Sequence, residues 1–192
     1  DGNITMSADR VHFQTDVSNS NSANWLLNEM SSAGDIKITA RNIQNDAPST
    51  VTAGRGLALY VDNRVLNAGR LRSQEDITVR ADFIDNYGQF MSLGDSSFTA
   101  KKDFINYYGA GVLSGENLQF NTGRNCINYR AEVFAIGDIE FNGIVGGKIL
   151  DTVNLDQTYD NPYLNLQTDA NIPVPPPAPP TGSETDDGND YI

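Results

Sequence analysis

The chain has 192 residues, 39 % of them hydrophobic, and 13 Lys and Arg against 25 Asp and Glu give a formal net charge of −12. That length suits one elongated domain with a tail, and the acidic balance argues against nucleic acid or an anionic membrane surface as the main partner. No apolar run approaches a membrane span, the opening Asp1-Gly2-Asn3 is no basic-then-apolar leader and reads as the start of an excised piece, and a single cysteine rules out an internal disulfide framework.

From the N-terminus, Gly2-Asn3-Ile4-Thr5-Met6-Ser7-Ala8 has the look of Gly34-Asp35-Ile36-Lys37-Ile38-Thr39-Ala40, so a repeating unit begins at the first residues. Ile36 follows Ile4 by 32 residues, and the excess falls around 14–31. Insertions in solenoids leave the stack as loops on one face. This one carries the only tryptophan, Trp25, beside Leu26 and Leu27. It is expected to leave the stack over Gln14–Met30. The three apolar residues then either form a contact surface or pack back over the open end as a cap.

Beyond the insertion, Ile36, Leu57, Ile77, Phe98, Leu118 and Ile139 recur at intervals of 21, 20, 21, 20 and 21 residues. A period so short and steady marks a solenoid. Asn45, Asn67, Asn86, Asn106 and Asn128 form a second ladder, each preceded two places earlier by Ile43, Val65, Ile84, Phe104 or Cys126. Val51, Leu71, Phe90, Val112 and Val133 form a third, each followed two places later by Ala53, Ser73, Ser92, Ser114 or Ala135. Stretches such as Ile77-Thr78-Val79-Arg80-Ala81 alternate with period 2, the mark of a half-buried strand. Three short strands and three bends in each unit give an all-β fold, a right-handed parallel β-helix of six to seven coils over residues 1–158. Periodicity fades after Phe141. Residues 159–172 read as an irregular cap, and 173–192 as a disordered tail. That tail opens on a polyproline spacer holding six of the eight prolines and ends in four acids with no base.

Chemistry-bearing residues are few. His12 is the only histidine, which removes most zinc sites and most Ser-His or Cys-His arrangements. Cys126 stands at a core position of the second ladder and reads as a small hydrophobe. Asp35, Asp76, Asp95 and Asp138 recur just before strands, where Asp commonly caps a turn. A β-helical polysaccharide hydrolase or lyase would place acids side by side on an outward face. The positions read as outward, Lys37, Ala58, Thr78, Thr99, Gln119 and Glu140, show no such cluster, so a non-catalytic chain with no metal or cofactor is expected. Asn tolerates left-handed backbone, and its amide can bond its copy one coil away, so the asparagines read as structural. Tyr87, Tyr107 and Tyr129 each follow a ladder asparagine and are expected to stack as an aromatic strip, extended sideways by Tyr108. Such a strip either shields the turns or presents a glycan- or protein-binding surface.

The strings Gly34-Asp35-Ile36-Lys37-Ile38-Thr39-Ala40-Arg41-Asn42-Ile43-Gln44-Asn45 and Asp76-Ile77-Thr78-Val79-Arg80-Ala81-Asp82-Phe83-Ile84-Asp85-Asn86-Tyr87-Gly88 resemble the filamentous-haemagglutinin repeat, a Gly-Asp-Ile/Leu-x-Ile/Leu-x-Ala stretch followed by an apolar-x-Asn-x-Gly turn. The resemblance covers about residues 1–145. Asn45 and Asn128 lack the Gly two places later, and Phe98–Lys102 matches the strand poorly. The resemblance implies a segment of a long exoprotein of the bacterial cell surface, exported through an outer-membrane partner by two-partner secretion, as in filamentous adhesins and effectors of contact-dependent growth inhibition. Its implied role is structural and receptor-binding, toward an outer-membrane protein or glycan of a target cell. A carbohydrate-active β-helix enzyme and a pure stalk are the competing readings.

Overall fold

The computed structural model describes residues 2–14, 29–143 and 148–151. Within them the chain forms β1 (Ile4–Phe13), β2 (Glu29–Ser32), β3 (Ile36–Asn45), β4 (Thr50–Ala53), β5 (Leu57–Asn67), β6 (Arg70–Ser73), β7 (Ile77–Asn86) and β8 (Gln89–Ser92). It continues through β9 (Ser96–Asn106), β10 (Gly111–Ser114), β11 (Leu118–Thr122), β12 (Asn125–Asn128), β13 (Glu132–Ala135), β14 (Ile139–Gly143) and β15 (Lys148–Asp151). One parallel sheet runs β1-β3-β5-β7-β9-β11-β14, with β12 and β15 extending it sideways, and a second runs β2-β4-β6-β8-β10-β13. The chain is therefore a parallel β-helix, with five successive turns from β3 to β13 and further rungs at either end.

Two of the three expected strands in each unit run on as one long strand. The bend between them is made inside that strand, where the register shifts between Ala40 and Asn42, Tyr60 and Arg64, and Ala81 and Phe83. A bulge turns a strand without ending its ladder, so no loop is needed there. Gly123 and Arg124 break the same bend open in the later coil, separating β11 from β12.

Inward-facing residues stack on their own kind. The register Val11/Ile43/Val65/Ile84/Phe104/Cys126 extends the second ladder by one rung at its start, with Cys126 buried within it, and in backbone register Ile149 pairs with Cys126 at the other end. The third ladder is also as read, with Met30 and Ser32 added below Val51 and Ala53. Glu29 and Met30 thus belong to a rung and not to the insertion; residues 15–28 lie outside the described residues, as do 159–172 and 173–192.

The first ladder needs one correction. Ser96, not Phe98, pairs with Ile77 and Leu118, while Phe98 pairs with Val79 and Phe120. The Phe98–Lys102 stretch that looked a poor strand is the middle of β9, displaced by two residues. Equal spacing misled because the coils differ in turn length, so intervals of about 20 recur at either position. Ser96 is accommodated at an apolar rung because its hydroxyl lies 2.7 Å from Ser92 Oγ in a buried cluster. The same cluster holds Ser114, whose hydroxyl donates to Gly94 O and lies within reach of Asn117 O. Phe98 fills the space left, packing on Phe90, Phe104 and Phe120 with centroids 5.0, 5.4 and 5.5 Å away.

At the opposite corner the asparagine ladder is fully buried from Asn45 to Asn106. Each side-chain Nδ2 donates to the Oδ1 of the next: Asn45 to Asn67, Asn67 to Asn86 and Asn86 to Asn106 at 2.8 Å, and Asn106 to Asn128 at 2.9 Å. The second amide hydrogen of Asn67, Asn86 and Asn106 reaches the backbone oxygen of Gln89, Gly111 and Glu132. Packing there is so close that a Cβ on Gly88 would lie 2.0 Å from Gly69 O.

Asn86→Ala removes three such bonds and leaves buried partners unpaired, so it should cost about 2–4 kcal/mol in urea unfolding. Asn45→Ala, at the end of the ladder, loses one of these bonds and should cost distinctly less.

Candidate functional site

The turn after each ladder asparagine varies in length. It has two residues at Ala68-Gly69 and Tyr87-Gly88, four at Asp46–Ser49 and Tyr107–Ala110, and three at Tyr129–Ala131. Tyr87, Tyr107 and Tyr129 are equivalent in backbone, each N–H donating to the asparagine oxygen one coil back. Their rings do not form one strip. Tyr87 and Tyr107 stack with centroids 4.0 Å apart and planes at 7°, whereas no ring contact joins Tyr107 to Tyr129 among the described residues. The Tyr107 ring is drawn onto the sheet face and is 8 % exposed, and its hydroxyl donates to Asp85 Oδ1 at 3.3 Å. Tyr108 takes the tip of the wider turn, 72 % exposed, ahead of Gly109 with φ of 78°. Trp25, Leu26 and Leu27 lie outside the described residues.

Below this ridge the outer face of the long strands carries two columns. Arg64, Phe83, Asp103 and Asn125 are in register, and beside them run Leu66, Asp85, Ile105 and Ile127. Asp85 is thus a carboxylate set between Leu66 and Ile105, 8 % exposed. Arg64 Nε lies 3.2 Å from its Oδ2, yet that oxygen accepts no hydrogen bond, because the guanidinium sits alongside it and not in line with it. Burial raises the Asp85 carboxyl above its ordinary value, and the neighbouring Asp103 charge adds to that. Arg64 and the Tyr107 hydroxyl oppose the rise. Burial also pushes the Tyr107 hydroxyl up, with Tyr87 the next cause.

Asp103 behaves in the opposite sense. Arg124 grips it through Nε at 2.8 Å and through a second, shorter contact from Nη2, and Asn125 Nδ2 adds a bond of 2.9 Å. These donors hold its carboxyl below the usual range, the Arg124 hydrogen bond first. Phe83 lies between two cations, 5.3 Å from the Arg64 guanidinium and 4.7 Å from Lys102 Nζ. Tyr60 is similarly flanked by Lys37 and Arg80 at 5.2 and 5.9 Å. The arrangement offers flat aromatic faces with charged edges, suited to a polar surface that also carries apolar faces.

The recurring aspartates cap turns between coils. Asp35 Oδ1 accepts from Gly56 N, Asp76 Oδ1 from Asp95 N, and Asp95 Oδ1 from Asn117 N, at 2.9–3.1 Å. At Asp138 the roles differ: its own N–H donates to Asn117 Oδ1. His12 Nε2 pairs with Asp46 Oδ2 at 2.6 Å. In the outward row, Ser97 and not Thr99 stands between Thr78 and Gln119, a consequence of the same two-residue displacement in β9.

Inspection of the inward ladders alone misses a second surface. Between the inward residues of β8, β10 and β13, Met91, Leu113 and Phe134 point outward, and Leu93 and Ile136 follow in the next bend. Leu93, Phe134 and Ile136 are 64 %, 47 % and 76 % exposed. Alternation around Phe90-Met91-Ser92 is the signal that finds them.

Comparison with family models, with curated proteins and with solved structures gives no match.

The two aspartates predict opposite pH responses. A carboxyl raised in the folded state stabilises it fully below the unfolded value and loses that contribution as pH rises through the folded value. Thermal melts should therefore show Asp85→Asn gaining on the wild type between pH 3 and 7. A lowered carboxyl stabilises above the unfolded value and loses this as pH falls through the folded one, so the deficit of Asp103→Asn should be largest near pH 7 and shrink in acid.

Proposed function

We propose that this chain is a structural and receptor-binding segment of a large secreted cell-surface filament, in which the β-helix is the shaft and the tyrosine turns touch an outer-membrane protein or glycan of another cell. The observation that carries the reading is the exposed Tyr108 beside the stacked Tyr87 and Tyr107, set over a face where Phe83 lies between two cations. A shaft needs no such ornament. Side chains that combine apolar area, a hydroxyl handle and few rotatable bonds are what recognition surfaces use.

Two further features support a passive, non-catalytic part. The aspartates Asp35, Asp76 and Asp95 are engaged at the bends as backbone acceptors, and of the two carboxylates on the outer face of the long strands Asp103 is held by Arg124 and Asn125 while Asp85 is buried beside Arg64. The repeat resembling filamentous haemagglutinin, carried by a rod about 30 Å long at a rung spacing near 4.8 Å, fits one short section of an extended exoprotein. Export through an outer-membrane partner and residence at the bacterial surface belong to the same proposal.

The reading is tested by saturable binding of the 192-residue chain to Gram-negative cells, with and without surface proteolysis. Because Tyr107 is buried, the informative variants are Tyr108→Ser and Tyr87→Ser. Together they should weaken cell binding more than tenfold, with the melting temperature little changed. Binding unaffected by the folded double variant removes the tyrosine turns as the contact.

A further inference from the structure

The outer face of the short-strand sheet has a layout that the shaft alone does not require. Its first outward column reads Glu29, Thr50, Arg70, Gln89, Gly111 and Glu132 from β2 to β13, and its second reads Ser31, Thr52, Arg72, Met91, Leu113 and Phe134. Polar residues fill the early rungs and cations the β6 rung, and from β8 onward the second column is apolar while the first ends on Glu132. Arg70 and Glu132 are exposed, and neither makes an ion pair or side-chain hydrogen bond among the described residues. Arg72 is half-buried, and its Nε has no hydrogen-bond partner.

We propose that this face is the interface of a two-fold dimer with a second copy of the chain. The axis lies parallel to the strands, midway between β8 and β10. Such an axis keeps each column facing itself and reverses the order of rungs, so β8 faces β10 of the second copy and β6 faces its β13. Met91 then meets Leu113 of the second copy at the centre. Arg72 faces Phe134 of the second copy, a cation over an aromatic face. Arg70 faces Glu132 of the second copy. Sheets packed face to face lie about 10 Å apart, a gap that an arginine and a glutamate span end to end.

The charges fix this register. Moving the axis one rung toward β2, between β6 and β8, brings Glu29 against Glu132 and the exposed Phe134 against Ser31. Moving it onto β10 keeps apolar contacts but leaves Arg70 and Arg72 facing nothing in the described sheet. Only the axis between β8 and β10 gives every one of Arg70, Arg72, Met91, Leu113, Glu132 and Phe134 a complementary neighbour. Four rungs of five residues span roughly 20 Å by 17 Å, well under the ~800 Å² per partner of a standard complex, so the association is weak and reversible. It is a lateral contact, on a different sheet from the column that holds Asp85, and does not depend on the receptor-binding reading.

Sedimentation equilibrium of the full chain from about 5 to 500 µM tests it. A reversible monomer–dimer equilibrium is expected. Arg70→Glu and Glu132→Arg should each raise the dissociation constant at least tenfold, since each places like charges face to face. The double variant, Arg70→Glu with Glu132→Arg, should restore it to within about threefold. Circular dichroism checks that these surface variants keep the fold, and Phe134→Asp provides an independent disruption at the same interface. A chain monomeric at 500 µM overturns the proposal, as does a dimer indifferent to both single changes or one that the double variant fails to restore.

Discussion

Everything in this molecule follows from stacking parallel strands in register at the strand spacing. Once coil lies on coil, each side chain has the equivalent side chain of the next coil as its nearest neighbour, and only residue types that are good company for themselves can occupy a rung. Branched aliphatics meet this demand by packing, phenylalanines by tilted or offset stacking, and small residues by letting the backbone bend. Like charges do not. Charged residues are accordingly found outward or at bends, and the buried exceptions need a partner of another kind from the adjacent coil.

The asparagine corner shows how a polar residue meets the same demand. A primary amide carries both a donor and an acceptor, so a column of identical amides satisfies itself without water. The arrangement also ties the corner carbonyls of Gln89, Gly111 and Glu132 to the ladder, which lets turns of two, three and four residues follow the same anchor. Variation in the turn is therefore structurally inexpensive, and it is in these turns that Tyr107 sinks to a buried carboxylate while Tyr108 is lifted into solvent.

The inward ladders were legible in the sequence because self-stacking is a periodic constraint. Val65, Ile84, Phe104 and Cys126 had to recur, and the fixed two-residue step to the asparagine locked their phase. The register of β9 was not legible from spacing, because Ser96 breaks the apolar pattern through a hydroxyl cluster assembled from two successive bends. The outward surfaces were harder still. Outward residues obey no self-stacking rule, so the union of Arg64, Asp85 and Tyr107 across three coils, and the drift from Arg72 to Phe134 along one sheet, emerge only when the register is known. Tyr87, Tyr107 and Tyr129 share a backbone phase, but among the described residues ring contact joins only Tyr87 and Tyr107, whose hydroxyl reaches the buried Asp85.

The amide ladder also has a direction. From Asn45 to Asn106 each Nδ2 points toward the later coil, and from Asn67 to Asn128 each Oδ1 accepts from the earlier one, so the column is a row of aligned dipoles whose acceptor end is buried and unpaired at Asn45, where Phe13 occupies the preceding rung. Coils are thus not interchangeable beads but links with a head and a tail. A coil bearing an aliphatic residue at this corner acts as a terminator, splitting one long polarised column into two shorter ones, each with its own unsatisfied acceptor. Length along the shaft is in this sense counted in uninterrupted amides, and the Phe13 rung marks where one such count begins.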